Sequence, residues 1–372
     1  MTDAAPQPFR IATSPGVIED LGERLAQTRL LPESPNRPWS ALRADHLADL
    51  VDSWRRFDWT AREGWLNSFP QFTAEIDTAR LHFVHRPPPT SDAPVVLLMH
   101  GWPHTFALQL ALVEAVPEFG FVVPSLPGFA YSGAYRGRMT EARLARTMVA
   151  LMSDVLGYER FLTYGEDVTA NVSDLIAASR PDAAAGILVT HAHFPTQEER
   201  AALTDPDAAR FFEGLAASSR DFSGYAHEQG TRPDTLATAL NDSPAGLLAW
   251  IAEKLIEWSD TPRDDPRAVH RRLSVERILT EATIYWTTQS IATSFRPYFD
   301  EGDAPPVPRV TVPASVHIQR HEHDYPESCA RDFYENLLEF ERLPEGGHFA
   351  AAEAPEAIGD RLRRLAERVA PR

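Results

Sequence analysis

Apolar residues recur at helical spacing through residues 15–59, first at Ile18, Leu21 and Leu25, then at Leu42, Leu47, Leu50, Val51 and Trp54. The proline-bearing stretch 32–38 divides this opening arm into two helices. The pattern then changes period. Leu81-His-Phe-Val-His85 alternates as a strand does, and Val95-Val-Leu-Leu-Met99 is a continuous apolar run of the kind that fills a strand buried on both faces. Short apolar runs follow at 121–123, 160–164, 186–190 and 316–319, separated by helical patterns such as 142–156. Strands alternating with helices predict parallel βαβ crossovers, hence an α/β fold with a mostly parallel central sheet. Between residues 194 and 305 the strand runs stop, and helix-like sequence rich in Trp, Tyr, Asp and Pro reads as an inserted helical cap. The expected organisation is an N-terminal arm over 1–79, a first core part over 80–193, the cap over 194–305 and a second core part over 306–372.

With 372 residues, 43% hydrophobic and 24% charged, the chain has the profile of a globular protein with a large core. Its 36 Lys+Arg against 53 Asp+Glu give a formal charge of −17, a field that repels nucleic acid and anionic lipid surfaces. Cys329 is the only cysteine and reads as a packing residue in a reducing compartment. The opening MTDAAPQPFRIATSPG has no basic start followed by an apolar run, and no stretch is long enough to span a bilayer. A cytoplasmic protein is expected, with no membrane partner and with a homodimer left open.

Tyr164-Gly165-Glu166-Asp167-Val168-Thr169 follows one of the strand runs and precedes the helix-like 170–179, while no Gly-x-Ser-x-Gly occurs anywhere. A carboxylate on such a strand-to-helix turn suits attack on an sp³ carbon, because the alkyl ester formed is then cleaved by water at its carboxyl carbon. Taken alone, Asp167 could equally cap the following helix. Gly346-Gly-His348-Phe comes late in the chain, before the helical 355–369, and supplies a candidate general base in the order nucleophile, acid, histidine. Glu322, 26 residues upstream and just after a strand run, could hold the second imidazole N–H, with Asp324 competing for that role. His100-Gly101-Trp102-Pro103 ends the central strand, where the backbone N–H of Trp102 can join that of Val168 as an oxyanion hole. His100, Trp102 and Pro103 at that turn, with Trp286 among the cap aromatics, are the expected substrate contacts.

These motifs together resemble the microsomal-type branch of the epoxide hydrolases, within the α/β-hydrolase superfamily. The resemblance covers nearly the whole chain, including Trp54-Arg-Arg-Phe-Asp-Trp59, Glu63-Gly-Trp-Leu-Asn-Ser-Phe-Pro-Gln-Phe72 and the cap segments around Gly224-Tyr225, 239–250 and Tyr285 through Tyr298. It implies an arm that wraps the catalytic domain, and it implies that Tyr225 and Tyr298 donate hydrogen bonds to the epoxide oxygen. Two phenols are neutral donors suited to a developing alkoxide. Asp58, Trp59 and Trp250 read as structural. The resemblance further implies hydrolysis of an epoxide to a vicinal diol through an Asp167 ester, with His348 activating water and Glu322 orienting it. Phe211, Phe212, Trp250, Trp258 and Trp286 point to a largely apolar small-molecule epoxide.

The departures lie at the nucleophile, where relatives usually read Gly-Gly-Asp-Trp-Gly. Glu166 is expected to raise a carboxylate pKa beside it and Thr169 to crowd the turn; His104 replaces a further glycine, and Pro297 precedes Tyr298. Those departures keep open a catalytically silent binding protein and an intramolecular ring-opening enzyme; haloalkane dehalogenation is the other alternative, although Val168 cannot hold halide. His191-Ala-His193 reads as cap-hinge sequence. The run from Gln319 to Asp324 with His317 lacks a second cluster of metal-ligand spacing, and no Gly-x-Gly-x-x-Gly or Walker loop occurs, so no metal and no cofactor are expected.

Overall fold

The computed structural model describes residues 5–37, 39–302 and 305–370, with the side chains of 217–221 left aside; Pro38 and the first four residues of the opening stretch lie outside the described residues. Among the described residues nine strands form one sheet: β1 (Gln7–Phe9), β2 (Gln71–Ile76), β3 (Ala79–Arg86), β4 (Val95–Met99), β5 (Gly120–Pro124), β6 (Phe161–Gly165), β7 (Ala184–Val189), β8 (Ala314–Ile318) and β9 (Leu337–Arg342). Their order is β1-β2-β3-β5-β4-β6-β7-β8-β9. The pairs from β1 to β5 through β2 and β3 are antiparallel and every pair from β5 to β9 is parallel. This is the α/β-hydrolase arrangement anticipated above.

Alternation within β4 explains its unbroken apolar run. Val95, Leu97 and Met99 enter one core while Val96 and Leu98 enter the other, so each face of the strand is covered by helices. The strand order reverses beside β4, and the loops leaving the carboxyl ends of the parallel strands open into the crevice that such a reversal creates. Met99 pairs in register with Gly165, which sets His100 and Glu166 side by side as the two strands end.

The opening arm contains helices Pro15–Ala26 and Ala44–Arg55, as the spacing predicts, and a third over Trp59–Leu66 whose N-terminus Asp58 caps through the Ala61 N–H at 3.0 Å. The arm is pinned to helix Val275–Thr288: the Trp54 indole donates to Thr283 Oγ1 at 2.8 Å, and Arg62 Nε donates to Thr280 Oγ1 at 2.8 Å. Trp59 is buried with its indole on Thr13 Oγ1. Among the described residues of 194–305 there are helices and no strand, and Trp250 fixes two of those helices by donating to Gln229 Oε1 at 2.9 Å.

Three strands and one helix type differ from expectation. β1 and β2 extend the sheet on the arm side, where Gln71-Phe-Thr-Ala-Glu-Ile76 carries too many polar residues to stand out as a strand. β9 is a half-buried edge strand of sequence Leu-Leu-Glu-Phe-Glu-Arg. The helix expected over 142–156 is α-helical only at Glu141–Val149 and continues as a π-helix over Ala150–Val155, burying Leu151 and Met152. Helices Ala170–Ser179 and Pro355–Val369 match their predicted spans, and Cys329 is buried within helix Glu327–Phe333. No described helix is long and apolar enough to cross a membrane.

Candidate active site

Asp167 occupies the turn between β6 and helix Ala170–Ser179 with φ of +53°, a left-handed conformation that costs a non-glycine residue about 1–2 kcal/mol. The conformation aims the carboxylate across the strand ends. Its Oδ1 accepts the Trp102 N–H at 2.9 Å, and the Val168 N–H faces the same group. Gly101 makes this approach possible, because a Cβ there would lie 2.5 Å from Asp167 Cβ.

On the other side of the carboxylate, His348 Nε2 lies 3.4 Å from Asp167 Oδ2 while its Nδ1 is 2.8 Å from Glu322 Oε1. His348 is held by its backbone too, donating its N–H to the Trp258 carbonyl at 2.9 Å, and Gly347 permits that contact because a side chain would strike the same carbonyl at 2.6 Å. Glu322 and not Asp324 faces the imidazole. Asp324 is 90% exposed at its side chain and pairs with Arg342 at 2.6 Å.

Burial pushes the Glu322 carboxyl up, but the His191 and His348 imidazoles hold it well below the usual carboxylate range. Burial works against the charged form of His348 as well, yet the flanking Asp167 and Glu322 raise its pKa to about 10. The Asp167 carboxyl stays below its usual value because His348 and the two backbone N–H groups outweigh its burial.

Tyr225 and Tyr298 come from the helical segment; Tyr225 lines the cavity beside Asp167, and Tyr298 packs against Tyr225 and Trp102. The Tyr225 ring stacks on Trp102 at 5.4 Å and 7°, Tyr298 meets Trp102 edge-on at 6.0 Å, and the two phenol rings are 5.8 Å apart. Burial and the Asp167 charge raise both phenol pKa values, which keeps both as neutral donors. A cavity of about 680 Å³ opens from Asp167 and His348, walled by Trp258, Phe222, Phe194 and Leu215.

Four expected substrate contacts are placed elsewhere. His100, Trp102 and Pro103 are fully buried behind the cavity wall. Both His100 nitrogens are used on backbone, Nδ1 at the Gly101 carbonyl and Nε2 accepting the Leu126 N–H. Trp102 contributes its N–H to Asp167 while its indole lies under Tyr225, one layer from the cavity. Trp286 is buried on the outer side of its helix beneath the Arg24 guanidinium, 5.7 Å away, because the helical period turns it toward the arm. Thr169 does not crowd the turn either: its hydroxyl accepts the Glu166 N–H at 3.1 Å and donates to the Glu166 carbonyl at 2.9 Å. Glu166 points away from Asp167 and does not raise its pKa.

His191 is the site residue that the sequence reading assigns to the cap hinge. It follows β7 and bridges Asp167 and Glu322, with Nδ1 accepting the Asp167 N–H at 3.4 Å and Nε2 lying 3.5 Å from Glu322 Oε1 and 3.1 Å from His348 Nδ1. His193 is stacked on Phe333 at 3.7 Å. Among the described residues, His191, Glu322 and His348 are the only group spaced to hold a metal ion. Their mutual hydrogen bonds already engage the atoms that would ligate it.

Comparison with known proteins accords with this geometry. Residues 6–108 match the family model for the epoxide hydrolase N terminus. Epoxide hydrolase 1 of Oryctolagus cuniculus is 30% identical over 96% of this chain and 88% of its own length. The chain belongs to the epoxide hydrolase family. A Stigmatella aurantiaca relative bearing an epoxide hydrolase name is 33% identical, over 96% of this chain and 83% of its own. The solved structure of Aspergillus niger epoxide hydrolase superimposes with a TM-score of 0.83 at 26% identity, covering 99% of this chain and 97% of that one. That of juvenile hormone epoxide hydrolase from Bombyx mori shares the fold at a TM-score of 0.88 and 24% identity, covering 99% and 95%. This member of the epoxide hydrolases is therefore a hydrolase built on the α/β-hydrolase fold.

Proposed function

We propose that the enzyme converts an epoxide and water to a vicinal diol through an alkyl ester on Asp167. The supporting observation is the placement of His348 between the Asp167 and Glu322 carboxylates, with two neutral phenols opposite. Asp167 attacks one ring carbon, the C–O bond breaks, and Tyr225 and Tyr298 hydrogen-bond the oxygen as charge develops on it. The alkoxide takes a proton from a tyrosine phenol, the phenol recovers one from the His348 imidazolium through solvent, and the ester forms with His348 neutral. Esterification removes the Asp167 charge, so one of the two anions that hold a proton on His348 is gone. Neutral His348 then accepts a proton from water, which adds to the ester carbonyl while the N–H groups of Trp102 and Val168 stabilise the tetrahedral oxyanion. Collapse expels the alkoxide, which takes the proton from His348 to give the diol; the Asp167 carboxyl then yields its own proton to His348 and returns to the carboxylate, with Glu322 keeping the imidazole oriented throughout.

The walls of the cavity favour a largely apolar epoxide, and its volume of about 680 Å³ admits a bulky one. No metal or cofactor takes part in these steps. A panel of styrene oxides, terpene epoxides and polycyclic epoxides, with products separated and weighed by mass spectrometry, tests the reading. Diol formation from the larger apolar members is expected. Activity confined to small polar epoxides contradicts the substrate class, while cyclic ethers in place of diols or halide release from haloalkanes without epoxide turnover contradict the reaction.

A further inference from the structure

The residue before Asp167 is a carboxylate only 1% exposed, surrounded by three donors and the His104 imidazole. Glu166 Oε1 accepts from the Tyr164 hydroxyl at 2.5 Å and from the Ala351 N–H at 2.9 Å. Its Oε2 accepts from Gln109 Nε2 at 2.8 Å and lies 3.2 Å from His104 Nε2. A carboxylate has about four acceptor positions, and three of them are filled by donors while the His104 ring packs against the fourth side. Burial alone would drive its pKa up, but the His104 and Tyr164 contacts bring it down to about 2, and Glu166 is an anion at every pH at which the enzyme could work.

Each of these four partners belongs to an element that carries one of the groups assigned to the reaction. His104 is two residues beyond Trp102, whose N–H holds Asp167, and Gln109 lies in the helix Phe106–Ala115 that follows the same turn. Ala351 is three residues beyond His348, in the helical turn Ala350–Glu353. Tyr164 is on β6, which leads into the nucleophile, and Glu166 is bonded to Asp167 itself. The oxyanion turn, the nucleophile turn and the histidine loop therefore converge on one buried charge. We propose that Glu166 is a positioning residue, a carboxylate clamp that locks these three segments together and so governs both ester formation and ester hydrolysis. The proposal rests on the Asp167 ester route given above. Thr169 secures the backbone of Glu166 independently, so a change of side chain at 166 leaves the local hydrogen bonds of the turn intact.

Glu166→Gln tests the clamp, because an amide of the same shape turns an NH₂ toward at least one of the three donors. Single-turnover kinetics read by intact mass separate ester formation from ester hydrolysis and count the competent sites. Both rates per competent site should fall about 10- to 100-fold, the loss expected when reacting groups shift by a fraction of an ångström to 1 Å, with KM within about threefold. Combining Glu166→Gln with His104→Gln should cost far less than the product of the two single losses, as partners in one network do. A merely structural glutamate would lower the fraction of competent sites and leave the rate per site unchanged; that result, or a fall in only one of the two rates, overturns the clamp. If Glu166→Gln fails to fold, Tyr164→Phe removes one donor without touching the charge: a loss of about three- to tenfold in both rates supports the clamp, and unchanged rates overturn it. A first-turnover wild-type diol that takes its new oxygen from heavy-oxygen water, with the Asp167 peptide unlabelled, refutes the ester route itself and the clamp with it, an outcome read separately from the two rates.

Discussion

Gly101→Ala places a methyl group where the Asp167 side chain already is. The added Cβ would stand 2.5 Å from Asp167 Cβ, 2.7 Å from Asp167 Oδ1 and 2.8 Å from the Glu166 carbonyl oxygen, whereas ordinary contact begins at 3.4 Å. None of these atoms is the end of a flexible side chain free to swing aside, so the Trp102 turn and the Asp167 turn must part by about 1 Å. A misplacement of about 1 Å can cost roughly 10²-fold in rate, and it would also lengthen the 2.9 Å contact from Trp102 N–H. Overpacking of this kind destabilises by about 1–3 kcal/mol, so the variant should still fold. The assay is the single-turnover rate of adduct formation on Asp167 by intact mass, with the melting temperature followed by calorimetry. Adduct formation slowed about 100-fold in a protein that melts a few degrees lower is the expected result. Wild-type rate and melting temperature together would refute the assignment of this contact as the one that sets the nucleophile.

Tyr298→Phe and Tyr225→Phe each remove one neutral donor while keeping the ring, and each should slow adduct formation on the order of 10²-fold in stopped-flow or quenched measurements. His348→Gln should allow alkylation and block hydrolysis, so that intact-mass spectra accumulate a stable adduct absent from wild type at the same times. Glu281, fully buried on helix Val275–Thr288, has its pKa pushed by burial to about 8. A carboxyl raised in the folded state loses stability as pH rises from its unfolded value to its folded one, so wild type should weaken between about pH 4.5 and 8, by up to ~1.4 kcal/mol per pH step from this group alone. Glu281→Gln should flatten that slope and melt higher than wild type at pH 8 in denaturation scans.

The parallel core was legible because β4 and β6 are buried on both faces and spell that burial out as continuous apolar runs. β2 and β9 were not, since strands near the sheet margins carry polar residues that mimic loops. Asp167, Glu322 and His348 could be picked out because each follows a strand or a glycine pair in the chain order of the fold. His191 also follows a strand, but its partner His348 is 157 residues away and nothing local marks the contact. Side-chain direction was equally invisible in one dimension. Glu166 turns down into the layer below and its neighbour Asp167 up toward the cavity, and Trp286 turns toward the arm although its helix closes the core beside the site.

The most direct test of the ester route is one turnover in heavy-oxygen water with enzyme in excess over epoxide. Water that attacks the Asp167 ester carbonyl leaves its oxygen on the enzyme, and the oxygen added to the substrate comes from the Asp167 carboxylate. The first-turnover diol should therefore carry no heavy oxygen, while the peptide containing Asp167 gains it. Heavy oxygen in that first diol, with an unlabelled Asp167 peptide, would mean direct attack of water on the epoxide and would contradict the route.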